Sequence, residues 1–206
     1  GRVATDEVNE YKMRAGGPGM IITGVANVAA GGKGCEGELS VASGDMLPGL
    51  HKVATAIQAG GSRAILQIFH AGRKSTSKIR RGKQPVSASA VAAPYPAGSE
   101  TPRAMTAAEI QQLIEDFGQA TRRAIAAGFD GVELHGANTY LLQQFFSPNA
   151  NRRTDAWGGD RQARLALPLA VLARVKAEAA KATRPFIVGY RLSPEEIETP
   201  GIRLAD

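Results

Sequence analysis

Apolar residues in this chain follow two rhythms, compact runs of consecutive positions and stripes recurring every three or four residues. The runs are Met20–Val25, Arg63–Phe69, Phe129–Leu134 and Phe186–Leu192, each bounded by Gly, Pro or polar residues. They predict four strands. The stripes predict helices over Asp6–Ala15, closed by Gly16-Gly17-Pro18, and over Pro48–Ala59, with Pro in the first turn and Gly60-Gly61 after the last. Thr106-Ala107-Ala108-Glu109 has the form of a capping box. Behind it Ile110, Leu113, Ile114, Phe117, Ala120, Ala124 and Ile125 keep helical spacing up to Gly128. A last helix spans Arg161 to Thr183; Pro168 inside it predicts a kink or a late start.

Helices alternating with strands that are apolar almost throughout predict a parallel α/β protein whose strands are buried on both faces. No Gly-x-Gly-x-x-Gly turn follows a strand, which weighs against a dinucleotide-type sheet. Three polar residues, Gln67, His135 and Arg191, interrupt or end the apolar strands, where α/β barrels build their sites. The expected fold is therefore of the TIM (β/α)8-barrel type. It is expected as one incomplete unit over residues 1–206, with about four parallel strands, one strand wanting before Gly1 and about three after Asp206. Open strand edges would favour self-association, so a homo-oligomer is a possible state. Ala71 to Met105 reads as a long loop, of a length usually reserved for function.

Composition narrows the function. With 206 residues and 43% hydrophobic content the chain can bury a core. The net charge of +6 equals the six cations between Ala71 and Ser99 (Arg73, Lys74, Lys78, Arg80, Arg81, Lys83), a segment with no acid. So local a patch suits a phosphorylated small molecule or plain solvation, and no nucleic-acid partner is expected. The single cysteine, Cys35, excludes an internal disulfide and fits a reducing cytoplasm. No apolar run is long enough to cross a membrane. The start, without Met or an apolar signal core, is expected to be trimmed or processed.

The chemistry concentrates in Val132-Glu133-Leu134-His135-Gly136-Ala137-Asn138-Thr139-Tyr140-Leu141-Leu142. A strand ending near His135 would gather His135, Asn138 and Tyr140 at one end, two hydrogen-bond donors for a carbonyl oxygen and a phenol that can pass a proton. Taken alone the triplet could equally be a helix-capping His and a core Tyr. A metal reading would use Glu133 and His135, with Asp130 as the nearest further ligand; no metal is expected.

These residues also carry a family pattern. His135-Gly-Ala-Asn138-Thr-Tyr140-Leu-Leu-Gln-Gln-Phe-Phe-Ser147-Pro148, continuing through Asn151-Arg-Arg-Thr-Asp155 to Trp157-Gly-Gly159, closely resembles the Old Yellow Enzyme family of flavin-dependent oxidoreductases. So do Leu66-Gln67-Ile-Phe-His70-Ala-Gly72-Arg73-Lys74, Ile21-Ile22-Thr23 and Tyr190-Arg191-Leu-Ser193-Pro194. The resemblance implies an eight-stranded barrel holding non-covalent FMN, reduced by NADH or NADPH, that passes hydride to an α,β-unsaturated carbonyl substrate. It implies Gln67, Arg191 and Thr23 at the cofactor, His135 and Asn138 on the substrate carbonyl, and Tyr140 as proton donor. His70 would either face the site or only orient its loop, and Arg191 could instead pair with Glu195 or Glu196. Two departures qualify this. The family's first strand and its phosphate-binding last strands have no counterpart here, so these 206 residues alone are expected to turn over little. Cys35, placed after the second strand of the pattern, does not match the redox-tuning cysteine some members carry on the first. The alternative is a non-catalytic partial barrel that self-associates through its edges.

Overall fold

The computed structural model describes all 206 residues. It contains five parallel strands in one sheet, wrapped on one face by helices. In chain order these are α1 (Thr5–Arg14), β1 (Met20–Asn27), β2 (Leu39–Ser40), α2 (Leu47–Ala59) and β3 (Arg63–Phe69). After them come β4 (Val86–Ser87), β5 (Arg103–Ala104), α3 (Ala107–Ala126), β6 (Gly131–Gly136), α4 (Leu141–Phe146), α5 (Arg161–Ala179) and β7 (Ile187–Leu192). The sheet order is β2-β1-β3-β6-β7, and β4 pairs with β5 in a separate small ribbon. Four strands follow the expected runs; the fifth, β2, is too short to announce itself by periodicity.

The expected helix signals are satisfied by atoms. Thr106 Oγ1 accepts from Glu109 N, and Glu109 returns the bond to Thr106 N, closing the capping box of α3. The Asp160 carboxylate caps α5 by accepting from Ala163 N at 2.8 Å. Helix α5 starts at Arg161 and runs on through Pro168, so the late start expected from that proline does not occur. It stops at Ala179, four residues short of the expected Thr183, in a Thr-containing turn before β7.

Alternate positions of each strand face opposite ways. Ala64, Leu66, Ile68, Val132 and Leu134 point outward into one apolar core with Leu50, Val53, Ile57, Leu113, Phe117 and Val171 of the helices. Ile65, Gln67 and Phe69 of β3, Glu133 and His135 of β6, and Arg191 of β7 share the inner face. The expectation that every strand is buried on both faces holds for β3 and β6 and fails for β1 and β7. Met20, Ile22 and Ile187 on their inner sides are 45%, 41% and 40% exposed, because no further stave stands opposite them. At the amino end of β6, buried Asp130 accepts from Gln58 Nε2, Ala64 N and Arg184 Nη1, tying α2, β3 and the β7 approach together. Asp130 is thus engaged at the far end of β6 from His135, and the metal reading built on it fails.

The stretch from Ala71 to Met105 is an ordered loop. Buried Arg73 donates to the carbonyls of Val91 and Ala92, and Arg153 reaches in to those of Ala88 and Met105. Gln144, 1% exposed, makes four bonds. Its Oε1 accepts from Arg73 N and Ser87 Oγ, and its Nε2 donates to Ala71 O and Thr139 O. No helix is long and apolar enough to cross a membrane.

Candidate active site

The carboxyl ends of β3, β6 and β7, three neighbouring strands, carry the candidate residues. The register sets His135 beside Arg191 and Gln67 beside Glu133, so the two pairs form successive layers on the inner face. Above them Tyr140 is the N-cap of α4, a short helix that no periodicity in the sequence announces. Its segment, LLQQFF, is apolar or buried on nearly every side, so it shows no helical stripe.

The turn between His135 and Tyr140 is under conformational strain. Asn138 and Thr139 have φ of 55° and 62°, a left-handed pair that costs on the order of 1 kcal/mol per non-glycine residue. Neighbours over-determine it. Asn138 N donates to Ser193 Oγ, Thr139 N to Gln143 Oε1, and Gln144 Nε2 donates to Thr139 O. Gln143 is held in turn by Glu196, whose carboxylate also accepts from Ser147 Oγ and Ile202 N. Glu196 is therefore committed to α4, and Arg191 makes neither the ion pair with it nor one with Glu195. The Arg191 guanidinium stays exposed and unpaired on the inner face.

The strained turn has a chemical consequence. His135 Nδ1 accepts from Ala137 N at 3.3 Å, which leaves the proton of a neutral ring on Nε2. Burial, and then the neighbouring charge of Arg191, push the His135 pKa down to about 4, so the ring is neutral at pH 7. Asn138 Nδ2 lies 3.5 Å from that Nε2. Two N–H donors side by side repel one another unless an acceptor sits between them, and a carbonyl oxygen with two lone pairs fits that role. Tyr140 stacks edge-on against both His135 and Phe69, with ring centroids 4.9 Å apart in each case. Its hydroxyl has no partner in the protein. Burial, followed by the carboxylate and thiol of Glu38 and Cys35, raises its pKa above 10, so the phenol keeps its proton.

The remaining candidates are placed as follows. Gln67 Nε2 donates to Glu133 Oε1 at 2.5 Å across the strand pair, leaving its own carbonyl oxygen for another group. The Thr23 hydroxyl accepts from Gln67 N at 3.2 Å and donates to Gly24 O. It spans the register shift between Ile22 and Val25, where Gly24 N turns away to donate to the Tyr11 hydroxyl. Thr23 thereby fixes the backbone of Gln67. His70 Nδ1 accepts from Gly72 N, its carbonyl accepts from Leu141 N, and its ring packs against Gly32 so closely that a Cβ there would lie 2.6 Å away. Burial holds its pKa down to about 3. Those contacts make His70 the pivot of its loop.

Nothing in the sequence signals Phe69 or Glu38 here, and Glu133 and Cys35 stand out in it without being placed beside Gln67 and Tyr140. Phe69 is an ordinary member of its strand run. Cys35 and Glu38 lie on a loop whose fold over the site only the coordinates show. Glu38 Oε2 accepts from the amides of Gly34 and Cys35, and from the Cys35 thiol at 3.6 Å. Burial and the Glu38 carboxylate raise the Cys35 pKa, so the sulfur is a protonated thiol.

A flat aromatic acceptor would find, on one inner face, an amide oxygen at Gln67, an unpaired guanidinium at Arg191 and the His135–Asn138 donor pair. This set is chemically suited to a redox-active ring and leaves any attached phosphate to residues outside it. Comparison with known proteins accords with that chemistry. The NADH:flavin oxidoreductase / NADH oxidase family matches residues 1–206. The chain is 52% identical over 207 residues to the NADH:acrylate oxidoreductase of Vibrio harveyi and 48% identical to the NADH:fumarate oxidoreductase of Klebsiella pneumoniae (strain 342). Both alignments cover 100% of this chain and 20% and 22% of those proteins, so the chain spans about a fifth of their length. Among solved structures, morphinone reductase in complex with tetrahydroNAD superposes with a TM-score of 0.83 at 32% identity, over 94% of this chain and 55% of that one.

Proposed function

The chain belongs to the NADH:flavin oxidoreductase / NADH oxidase family, the Old Yellow Enzyme group to which its motifs point, and from that premise we propose that it carries the substrate-binding half of an ene reductase. Its fold is that of the family's TIM barrel, and we read β1, β3, β6 and β7, which neighbour one another in chain order, as four of the staves. FMN, when bound, would supply hydride chemistry between NADH or NADPH and the β-carbon of an α,β-unsaturated carbonyl compound. Everything else is asked of the chain. His135 Nε2 and Asn138 Nδ2 grip the carbonyl oxygen and draw charge toward it, making the β-carbon electron-poor. Tyr140 passes its phenolic proton to the α-carbon, completing addition of hydride plus proton across the double bond. Arg191 and Gln67 would hold the isoalloxazine, the guanidinium favouring negative charge on that ring when it is reduced. Thr23 contributes by holding the Gln67 backbone. We propose a cytoplasmic location for this chemistry, where NADH is available and where a chain with one unpaired cysteine fits.

The observation that carries this reading is the pair of unshared donors, 3.5 Å apart, beside a protonated and unbonded phenol. In the protein at the full length of its relatives, Tyr140→Phe is expected to slow alkene reduction about 100-fold while leaving flavin reduction by NADH nearly unchanged. Stopped-flow measurement of the two half-reactions separates them, and equal loss in both would remove Tyr140 from the proton-donor role. For the 206 residues alone we propose little turnover, since the inner face that would hold the isoalloxazine is open, with Met20, Ile22 and Ile187 exposed on it. Tight FMN binding in a fluorescence titration, with enone-dependent NADPH oxidation, would refute that.

A further inference from the structure

A second hollow lies at the carboxyl ends of β1 and β2, away from the His135–Tyr140 pair, and no step above uses it. Its volume is about 610 Å³, and five cations line it: Lys33, Lys78, Arg80, Arg81 and Lys83. The one carboxylate, Glu36, is already paired with Lys33. Lys78, Arg81 and Lys83 have no ion-pair partner. Three of these cations sit on a built turn: Gly82 N donates to Ser77 O, Arg81 adopts φ 54°, and Ser77 is anchored through its amide and hydroxyl to Glu100. Like charges gathered on a rigid turn repel one another, a cost that a bound anion reverses.

Two buried polar atoms bordering this hollow have no partner, Arg80 Nε and Asn27 Oδ1. Asn27 is 3% exposed, and its amide orientation is fixed because Nδ2 donates to Ala29 O at 2.8 Å. Its oxygen is therefore a true unsatisfied acceptor, which costs stability unless a ligand donor meets it. Cations for phosphate and one acceptor for a hydroxyl together describe a phosphorylated sugar. The Ala30–Gly32 turn stands between this hollow and the His70 loop. It gives Gly31 to the Arg80 guanidinium, where a Cβ would lie 3.3 Å away, and Gly32 to the His70 ring.

We infer that this pocket binds a nucleoside diphosphate group, with its phosphates on Lys78, Arg80, Arg81 and Lys83 and a ribose hydroxyl on Asn27 Oδ1. The inference does not depend on hydride transfer, because binding can be read without flavin. The 206-residue chain would be titrated by calorimetry with ADP-ribose, coenzyme A and inorganic pyrophosphate, while amide shifts are followed by NMR. Saturable binding that shifts Asn27 and Gly31 is expected, tighter for a nucleotide than for pyrophosphate. K78Q/R81Q/K83Q, three exposed positions, should weaken it at least tenfold, with folding checked by circular dichroism; Lys83→Glu alone should give a smaller loss of the same sign. Preference for ADP-ribose would assign the pocket to the dinucleotide hydride donor, and preference for coenzyme A to a thioester substrate. No saturable binding, shifts confined to other regions, an unchanged affinity in both variants, or tighter binding of an oligothymidylate would overturn the inference.

Discussion

At the scale of single residues, environment decides chemistry. His135 and His70 each give Nδ1 to a backbone amide and are buried, so each is a neutral donor at pH 7 where a free histidine would be partly charged. Their pKa values of about 4 and about 3 lie below the 6.5 of an unfolded chain. Between those limits the unfolded state binds protons that the folded state refuses. Stability is therefore full above about pH 6.5 and falls as pH drops toward 4, by roughly 1.4 kcal/mol per pH unit for each histidine. Glu38, whose pKa is raised by burial, opposes this in part. Urea midpoints at pH 7 and pH 5 are expected to differ, and the difference should shrink in His70→Gln; an unchanged slope would remove His70 from the account. For the same reason alkene reduction should be flat with pH between about 6 and 9, where His135 is neutral and Tyr140 protonated.

At the scale of elements, the strained His135–Tyr140 turn depends on α4. Gln143 and Gln144 look like surface polar residues in the sequence, yet they are 3% and 1% exposed and clamp the turn to the long loop. Gln144→Ala removes one partner from four buried backbone and hydroxyl groups. A loss of about 3 kcal/mol in folding stability is expected, since each orphaned group costs roughly 1 kcal/mol or more. Asn138 should lose its left-handed geometry in the same variant, seen as weaker binding of a carbonyl ligand than in the parent chain. The α3 capping box was legible in advance because a cap is a local contract between residues three apart. The network at α4 was not, because its partners lie on the long loop and the segment after β7.

At the scale of the whole molecule, helices cover the outer face at β3 and β6, while the inner face and the outer side of β7 stay open. Met20, Ile22 and Ile187 expose apolar surface on the inner face, and β7 ends in Leu192, 63% exposed, at the sheet edge. These surfaces favour association of the 206 residues with another copy. Light scattering across a tenfold concentration range should show a rising mean mass; a constant monomer mass would show that the open face is tolerated in water. The same openness leaves the donors of Asn138 and the guanidinium of Arg191 accessible from the inner side.

The sequence by itself determined the order of the four long strands and of α1, α2, α3 and α5, the barrel class, and the choice of Gln67, His135, Asn138, Tyr140 and Arg191 as candidates. Each of these rests on short-range information: an apolar run, a cap, or a motif contiguous along the chain. Only the tertiary structure decided that His135 carries its proton on Nε2, that Arg191 is unpaired, that Thr23 serves the backbone of Gln67, and that a cationic hollow forms at the carboxyl ends of β1 and β2. Those outcomes turn on which groups from distant segments meet and on how much water remains around them, and neither is encoded by spacing within one segment.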